Sequence, residues 1–180
     1  MFFTEMWERF GYYLMVGILF LFLTNSTGKG LPRALGADVV GTFIALVYLT
    51  PFIGGLLADR YLGYIKSIFI GGSLMAAGYL TIALPGEYTA YIAMGLIIIG
   101  NGFFKPNIST LLGNMYNRED LQPLKDNAYN IFYMGINIGA FFCNFVAAIL
   151  RNRISWQAAF SAAGIGLIIG LITLALSLKH

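Results

Sequence analysis

The sequence has few charged residues, one cysteine and one histidine. Charged side chains make up 11% of its 180 residues, against about 25% of a typical soluble domain, which excludes an ordinary soluble fold. The single cysteine excludes an internal disulfide, and Cys143 stands among phenylalanines, where we expect it to pack. The basic residues form no run with interleaved aromatics, so no nucleic-acid partner is expected. With no clustered metal ligands and no base beside the cysteine, we expect no metal, no cofactor and no enzyme activity.

Long apolar stretches take the place of the missing charge. Each of six stretches approaches the roughly 20 residues that a membrane-spanning helix needs. They cover residues 2–23, 39–58, 65–84, 88–113, 128–150 and 156–178. The links between them are too short for a second domain. The sequence therefore predicts an all-α membrane protein, a single bundle of six transmembrane helices over residues 1–180, surrounded by membrane lipid. Its orientation stays open, because the basic residues divide almost equally between the two sides.

Three charged residues open the first apolar stretch. A charge at the centre of a spanning helix costs about 2.5–3.5 kcal/mol on the insertion scale, so these charges must lie near an end or neutralise one another. Helical spacing places Glu5, Glu8, Arg9, Tyr12 and Val16 on one stripe, with Glu5 and Arg9 as i,i+4 partners. An ionisable stripe inside a membrane indicates a functional site. The alternative is an interfacial helix start whose charges reach the lipid headgroups.

The second stretch contains a proline and ends in a patterned turn. Pro51 removes the amide that would bond the Val47 carbonyl, which loosens the helix beside Tyr48. A glycine and Asp-Arg pattern follows at residues 54–66, where glycines permit close helix approach and the charges can pair with a neighbouring helix end. A packing kink and an interfacial anchor are the alternatives.

The fourth stretch carries a lysine well inside an apolar span. Pro106 follows Lys105 and leaves the Gly102 carbonyl without its helical donor. A charge, amides, hydroxyls and a free carbonyl within one stretch indicate a polar cavity, because lipid would satisfy none of them. The alternative is a lysine that extends to the inner headgroups.

The fifth stretch places Asn130, Tyr133 and Asn137 on one face, and we expect them to line the same cavity. Asn144 is expected to bond a neighbouring helix. The third and sixth stretches have little but small and apolar residues and are interpreted as scaffold.

The intramembrane charges balance. Glu5 and Glu8 give minus two, and Arg9 and Lys105 give plus two. Protonating one glutamate would leave a surplus positive charge that attracts an anionic group, such as a substrate carboxylate. The charged stretches also open two successive triplets of helices, which is typical of the inverted repeats of transporters. The pattern predicts proton-coupled binding.

Four motifs in order resemble the proton-dependent oligopeptide transporters (POT or PTR family) of the major facilitator superfamily, in their N-terminal six-helix half. They are ExxERFxYY at residues 5–13, the glycine and Asp-Arg pattern at residues 54–63, KPN at residues 105–107 and FYxxINxG at residues 132–139. The resemblance implies two inverted three-helix repeats and symport of di- and tripeptides with protons by alternating access. It also implies a plasma (inner) membrane protein with a cytoplasmic N-terminus.

The resemblance further implies roles for individual residues. Proton coupling would involve Glu5, Glu8, Arg9 and Lys105, with the lysine paired to the first-helix carboxylates. The peptide site would be lined by Tyr12, Tyr13, Tyr48, Lys105 and Asn137, and the clustering on the fifth stretch adds Tyr133. The cytoplasmic gate would be formed by Gly55, Asp59, Arg60 and Gly63.

Three features depart from the family pattern. Val16 stands where many members have an arginine that helps to hold the peptide carboxylate, so Arg9 and Lys105 would serve instead. The only histidine is His180, so coupling would rest on carboxylates. Six helices are half of the family's twelve, so we expect a C-terminal six-helix half as partner. The alternatives are a family member that transports nitrate or another small solute, and a transport-inactive membrane scaffold.

Overall fold

A computed structural model describes residues 1–178, which form six long helices and no strand. The last two residues of the predicted domain, Lys179 and His180, lie outside the described residues. The helices are α1 (Phe2–Thr24), α2 (Arg33–Leu57), α3 (Tyr64–Ile82), α4 (Thr89–Met115), α5 (Lys125–Arg153) and α6 (Trp156–Ser177). A π-helical turn, Ala58–Leu62, follows α2, and a 3-10 turn, Gln122–Leu124, precedes α5. The predicted all-α fold with six helices is confirmed.

Two helices are longer than their apolar stretches. α2 begins at Arg33 instead of the predicted residue 39, and α5 covers Lys125–Arg153 instead of residues 128–150. An apolar run marks the part of a helix suited to hydrocarbon, whereas polar residues can continue the same backbone hydrogen bonding beyond it. Helix length was therefore underestimated where charged residues extend a span.

Five of the six helices are long and apolar enough to cross a membrane, by length and composition, within the described residues. The exception is α4, although it has 27 residues. Asn101, Lys105 and Asn107 interrupt its apolar sequence, and the two asparagines are buried inside the bundle. The polarity of α4 thus faces protein, as a spanning helix requires.

The helices pack as two inverted triplets. α1 packs against α5 and α6, α4 packs against α2 and α3, and α3 meets α6. Exchanging the triplet α1–α3 with α4–α6 converts the α1–α6 contact into α4–α3, and the α1–α5 contact into α4–α2. Because each triplet has an odd number of spans, the second begins on the opposite side of the membrane. The predicted pair of inverted three-helix repeats is confirmed.

The close packing of α2 on α4 and of α5 on α1 depends on glycine. A Cβ at Gly54 on α2 would run into the Gly102 carbonyl of α4, and a Cβ at Gly139 on α5 would run into the Met6 carbonyl of α1. α2 and α5 can therefore lie directly on the backbones of α4 and α1. Both keep a broad face uncovered, and in their most apolar 18-residue windows only 17% of the α2 residues and 22% of the α5 residues are buried. The charged stretches of α1 and α4 lie next to these open faces.

Candidate functional site

The charged stripe of α1 folds into a buried ion cluster. The exposed fractions of Glu5, Glu8 and Arg9 are 4%, 0% and 4%. The guanidinium of Arg9 binds both Glu8 carboxylate oxygens, with Nη2 donating to Oε1 at 2.7 Å and Nε donating to Oε2. Arg9 Nε also lies 3.3 Å from Glu5 Oε1, which is the i,i+4 pair that the sequence predicts. The charges neutralise one another inside the protein and do not reach toward headgroups.

Two polar atoms beside this cluster have no partner in the described residues. They are Glu5 Oε2 and the hydroxyl of Tyr79, both buried. Tyr79 belongs to α3, is fully buried and packs against Gly11 of α1, which lies within one turn of Glu8 and Arg9 along that helix. Sequence reasoning missed Tyr79, because α3 was interpreted as scaffold. A tyrosine within the apolar part of α3, distant in sequence from the charged Lys66, was the available signal.

The two tyrosines of the first motif occupy different environments. Arg9 lies over the ring of Tyr12, 5.2 Å from its centroid, and Tyr12 is buried. Tyr13 meets Tyr12 edge to face at 5.5 Å and is 38% exposed. Tyr12 therefore forms the wall beside the ion cluster, whereas Tyr13 is open to a ligand.

Lys105 on α4 contacts an aromatic ring. Its Nζ lies 4.9 Å from the ring centroid of Tyr48 on α2, which is a cation–π distance. Within residues 1–178 no carboxylate lies within 4.0 Å of Nζ. The implied contact between Lys105 and the first-helix carboxylates is therefore wrong for this conformation, because Arg9 already holds both of them.

The balanced charges thus separate into two unequal sites. Glu5 and Glu8, when ionised, and Arg9 sum to minus one, while Lys105 carries plus one without an acidic partner. Lys105 is half-buried and Tyr48 is 65% exposed. This side of the bundle therefore presents a cation to any group that approaches it.

Hydrogen bonds join α2 and α4 next to these residues. Asn101 donates from Nδ2 to the Val47 carbonyl at 2.9 Å, and Thr50 donates from Oγ1 to the Ile98 carbonyl at 2.9 Å. The sequence predicted that Pro51 frees the Val47 carbonyl. It did not predict that Asn101 of α4 would donate a hydrogen bond to that carbonyl.

Three predicted site residues of α5 share one groove. Asn130, Tyr133 and Asn137 lie with Phe141 along an open surface groove, and all of its lining residues belong to α5. The groove lies on the uncovered face of this helix. Asn144 lies beyond this groove, with its amide oxygen near Gly17 of α1, and its expected hydrogen bond to a neighbouring helix stays a prediction.

The predicted gate residues lie at the end of α2. Gly55 packs against the ring of Pro106, 3.5 Å from where its Cβ would be. Asp59 and Arg60 are exposed and make no ion pair within residues 1–178. Gly63 closes the turn with φ of 75° and donates its N–H to the Ala58 carbonyl at 2.8 Å, a backbone conformation that favours glycine.

Metal ligands do not gather anywhere in the part of the chain that the structure describes, where no group of three or more His, Cys, Asp and Glu side chains could hold an ion.

An inverted-repeat bundle of membrane-length helices with a buried ion cluster defines an integral membrane protein with the architecture of a secondary transporter. Comparison with known families then identifies it. The sequence profile of the POT family matches residues 65–180, and the chain belongs to that family of peptide transporters.

Named relatives agree with this assignment. The chain is 40% identical over 183 residues to the transporter YclF of Bacillus subtilis (strain 168), a match that covers 99% of the chain and 37% of YclF. It is 39% identical over 174 residues to a di-/tripeptide transporter of Lactococcus lactis subsp. lactis (strain IL1403), which covers 93% of the chain and 35% of that protein. The crystal structure of a peptide transporter POT in complex with sulfate superposes with a TM-score of 0.94 at 38% identity, covering 99% of the chain and 37% of that structure. The chain therefore spans little more than a third of these relatives.

Proposed function

We propose that this chain is the N-terminal six-helix half of a proton-coupled symporter of di- and tripeptides that works by alternating access. It is a carrier and not an enzyme. The observation that carries the proposal is the buried Glu5–Glu8–Arg9 cluster next to an unpaired Lys105, because a membrane helix keeps such charges only for function. The relative named as a di-/tripeptide transporter supplies the substrate class.

The ion cluster of Glu5, Glu8 and Arg9 provides a carboxylate that can bind the coupling proton. With both glutamates ionised, Arg9 is fully engaged by carboxylate oxygens. A proton added to Glu8 neutralises that carboxyl and breaks the bidentate charge-assisted pair. Arg9 then keeps only Glu5 as an anionic partner, and the N–H groups that Glu8 held become available to a substrate carboxylate. Loss of the proton restores the Glu8 pair and expels the substrate anion. Proton movement and peptide binding are then linked through the same guanidinium.

Lys105 gives the peptide carboxylate its second anchor. Val16 leaves no arginine one turn beyond Tyr13, and Lys105 is a half-buried cation without a carboxylate in residues 1–178. The peptide would lie against the exposed side chains of the uncovered face, which are Tyr13, Tyr48, Tyr133 and Asn137, with the buried Tyr12 as the wall behind Tyr13. Exposed tyrosines provide apolar surface with a polar end, which suits peptides of variable side chain.

The uncovered faces of α2 and α5 are surfaces against which a second helical bundle could pack. We propose that a C-terminal six-helix half covers them and completes the peptide site, while lipid covers the remaining surface. Exposed and unpaired Asp59 and Arg60 would meet that half at the cytoplasmic gate, with the N-terminus cytoplasmic in the plasma membrane. The share of the relatives that the chain spans, 35–37%, supports a missing half.

The test uses the full-length transporter that contains this chain, reconstituted in liposomes. Labelled dialanine uptake is measured with and without an inward proton gradient, and competed with tripeptides and with nitrate. The proposal predicts accumulation that requires the gradient and is competed by short peptides. Competition by nitrate alone would favour a small-solute carrier, and no uptake by folded protein would favour the scaffold.

Paired lysine variants add a control to the same experiment. Lys105→Gln is expected to weaken dialanine uptake because the free cation is lost. Lys125→Gln, on the surface where Nζ bonds Asn117, should leave uptake unchanged.

A further inference from the structure

Two prolines leave two carbonyls without helical donors where α2 crosses α4. Pro51 cannot donate to the Val47 carbonyl, and Pro106 cannot donate to the Gly102 carbonyl. The structure directs both carbonyls toward the other helix. The Val47 oxygen accepts a hydrogen bond from Asn101 Nδ2 at 2.9 Å, and the Gly102 oxygen lies against Gly54. The carbonyl that each proline frees therefore contacts a residue of the other helix.

The Asn101 hydrogen bond has no substitute. Asn101 is fully buried, at a depth where lipid and neighbouring apolar side chains offer no other donor. Only the amide nitrogen of an asparagine can meet a carbonyl, so this bond also fixes the orientation of the side chain. The bond from Thr50 to the Ile98 carbonyl differs, because Ile98 lies inside α4 and keeps the N–H of Gly102 as its helical donor.

This hydrogen bond lies one helical turn from the Lys105–Tyr48 contact. Asn101 precedes Lys105 by four residues, so both lie on one face of α4. Val47 is the residue before Tyr48 on α2. A shift of α2 along α4 that broke the Asn101 bond would also carry the Tyr48 ring away from the Lys105 ammonium, which now lies 4.9 Å from it.

We propose that Asn101 is a positioning residue for the substrate site. Its amide joins α2 to α4 at the carbonyl that Pro51 frees, and this holds the Tyr48 ring under Lys105. The role in substrate binding rests on the proposed function, in which Lys105 and Tyr48 bind peptide. The hydrogen bond itself does not rest on it, so the two are tested separately.

The first test measures stability and needs no substrate. In the full-length transporter, Asn101→Leu leaves the buried Val47 carbonyl without a donor, although it also removes Asn101 Oδ1, which has no partner in the described residues. We expect the unfolding equilibrium constant to rise about fivefold or more. Thr50→Val should change it little. In a Pro51→Ala background the restored N–H of residue 51 can bond Val47, so the effect of Asn101→Leu should become smaller. An equal effect of Asn101→Leu in both backgrounds would contradict the proposed bond.

The second test measures dialanine transport kinetics. Asn101→Leu should raise KM by about two- to thirtyfold, the range that one cation–π contact covers, with the maximal rate per folded transporter unchanged. Asn101→Leu added to Tyr48→Leu should raise KM no further, because Asn101 acts through Tyr48. Additive effects on KM, or reduced stability with unchanged KM, would contradict the positioning role. If the wild-type protein does not transport dialanine, the proposed function fails, and the stability cycle still decides whether the bond exists.

Discussion

Replacing Arg9 by glutamine removes the cation that two buried carboxylates of α1 share. Arg9 Nη2 lies 2.7 Å from Glu8 Oε1, Nε lies 3.3 Å from Glu5 Oε1, and all three residues are at most 4% exposed. Water therefore cannot replace the lost partner. We expect Arg9→Gln to destabilise the folded transporter strongly, and more so at higher pH, because protonation at low pH removes the uncompensated negative charge.

The size of the loss follows from burial. Breaking a buried ion pair by removing one partner costs about 3–5 kcal/mol, whereas replacing every member of the pair by well-packed hydrophobic residues of similar volume is often neutral or stabilising. Arg9→Gln should therefore lose about 3–5 kcal/mol of the free energy of unfolding. The triple variant Glu5→Met, Glu8→Met, Arg9→Met, which fills similar volume without charge, should regain most of it, although it has lost more native contacts.

The assay is reversible unfolding of the full-length transporter in bicelles at several pH values. Arg118→Gln is the matched control, because its pair with Asp120, at 3.2 Å, is exposed and such pairs contribute at most about 1 kcal/mol. A triple variant as unstable as Arg9→Gln would refute the argument from charge compensation. So would an Arg9→Gln variant no less stable than Arg118→Gln.

Three further predictions concern packing and the unpartnered hydroxyl. Gly54→Ala should destabilise the α2–α4 pair by about 1–3 kcal/mol, because its Cβ meets the Gly102 carbonyl, whereas Gly41→Ala in the same helix, with open space around it, should be neutral or stabilising in the same unfolding assay. Tyr79→Phe should leave stability unchanged or raised, since its hydroxyl has no partner; a measured loss above about 1 kcal/mol would mean that the hydroxyl is bonded. Gly63→Ala should cost about 1–3 kcal/mol because φ of 75° and ψ of 160° place residue 63 in a region that essentially only glycine adopts, and thermal melting that matches the wild type would contradict the strained turn.

The helix count and the repeat architecture were predictable because they depend on properties of single stretches. The length of an apolar run decides whether a helix can span a membrane, and an odd number of spans per repeat decides the inversion. The Glu5–Arg9 pair was predictable for the same reason, since an i,i+4 contact follows from the geometry of one helix.

Contacts between helices were not predictable in the same way. The Lys105–Tyr48 contact joins α4 to α2. The pattern of one stretch does not show which residue of another helix lies beside Lys105, and a carboxylate partner was therefore expected wrongly. Adjacent residues such as Glu8 and Arg9 do not face each other on an exposed helix, and only burial brings their side chains together. Asn101 shows most clearly what a sequence can and cannot predict. The free Val47 carbonyl was predictable from Pro51, whereas its donor depends on how α2 and α4 cross.

The central claim is that the α1 ion cluster couples proton movement to peptide binding, and Glu8→Gln tests it most directly. Glutamine keeps the shape of the side chain and can neither gain nor lose a proton in this way. In liposomes holding the full-length transporter, we would compare gradient-driven accumulation of labelled dialanine with its counterflow exchange at equal pH. The account predicts that Glu8→Gln loses accumulation and retains exchange. Accumulation equal to that of the wild type would contradict it.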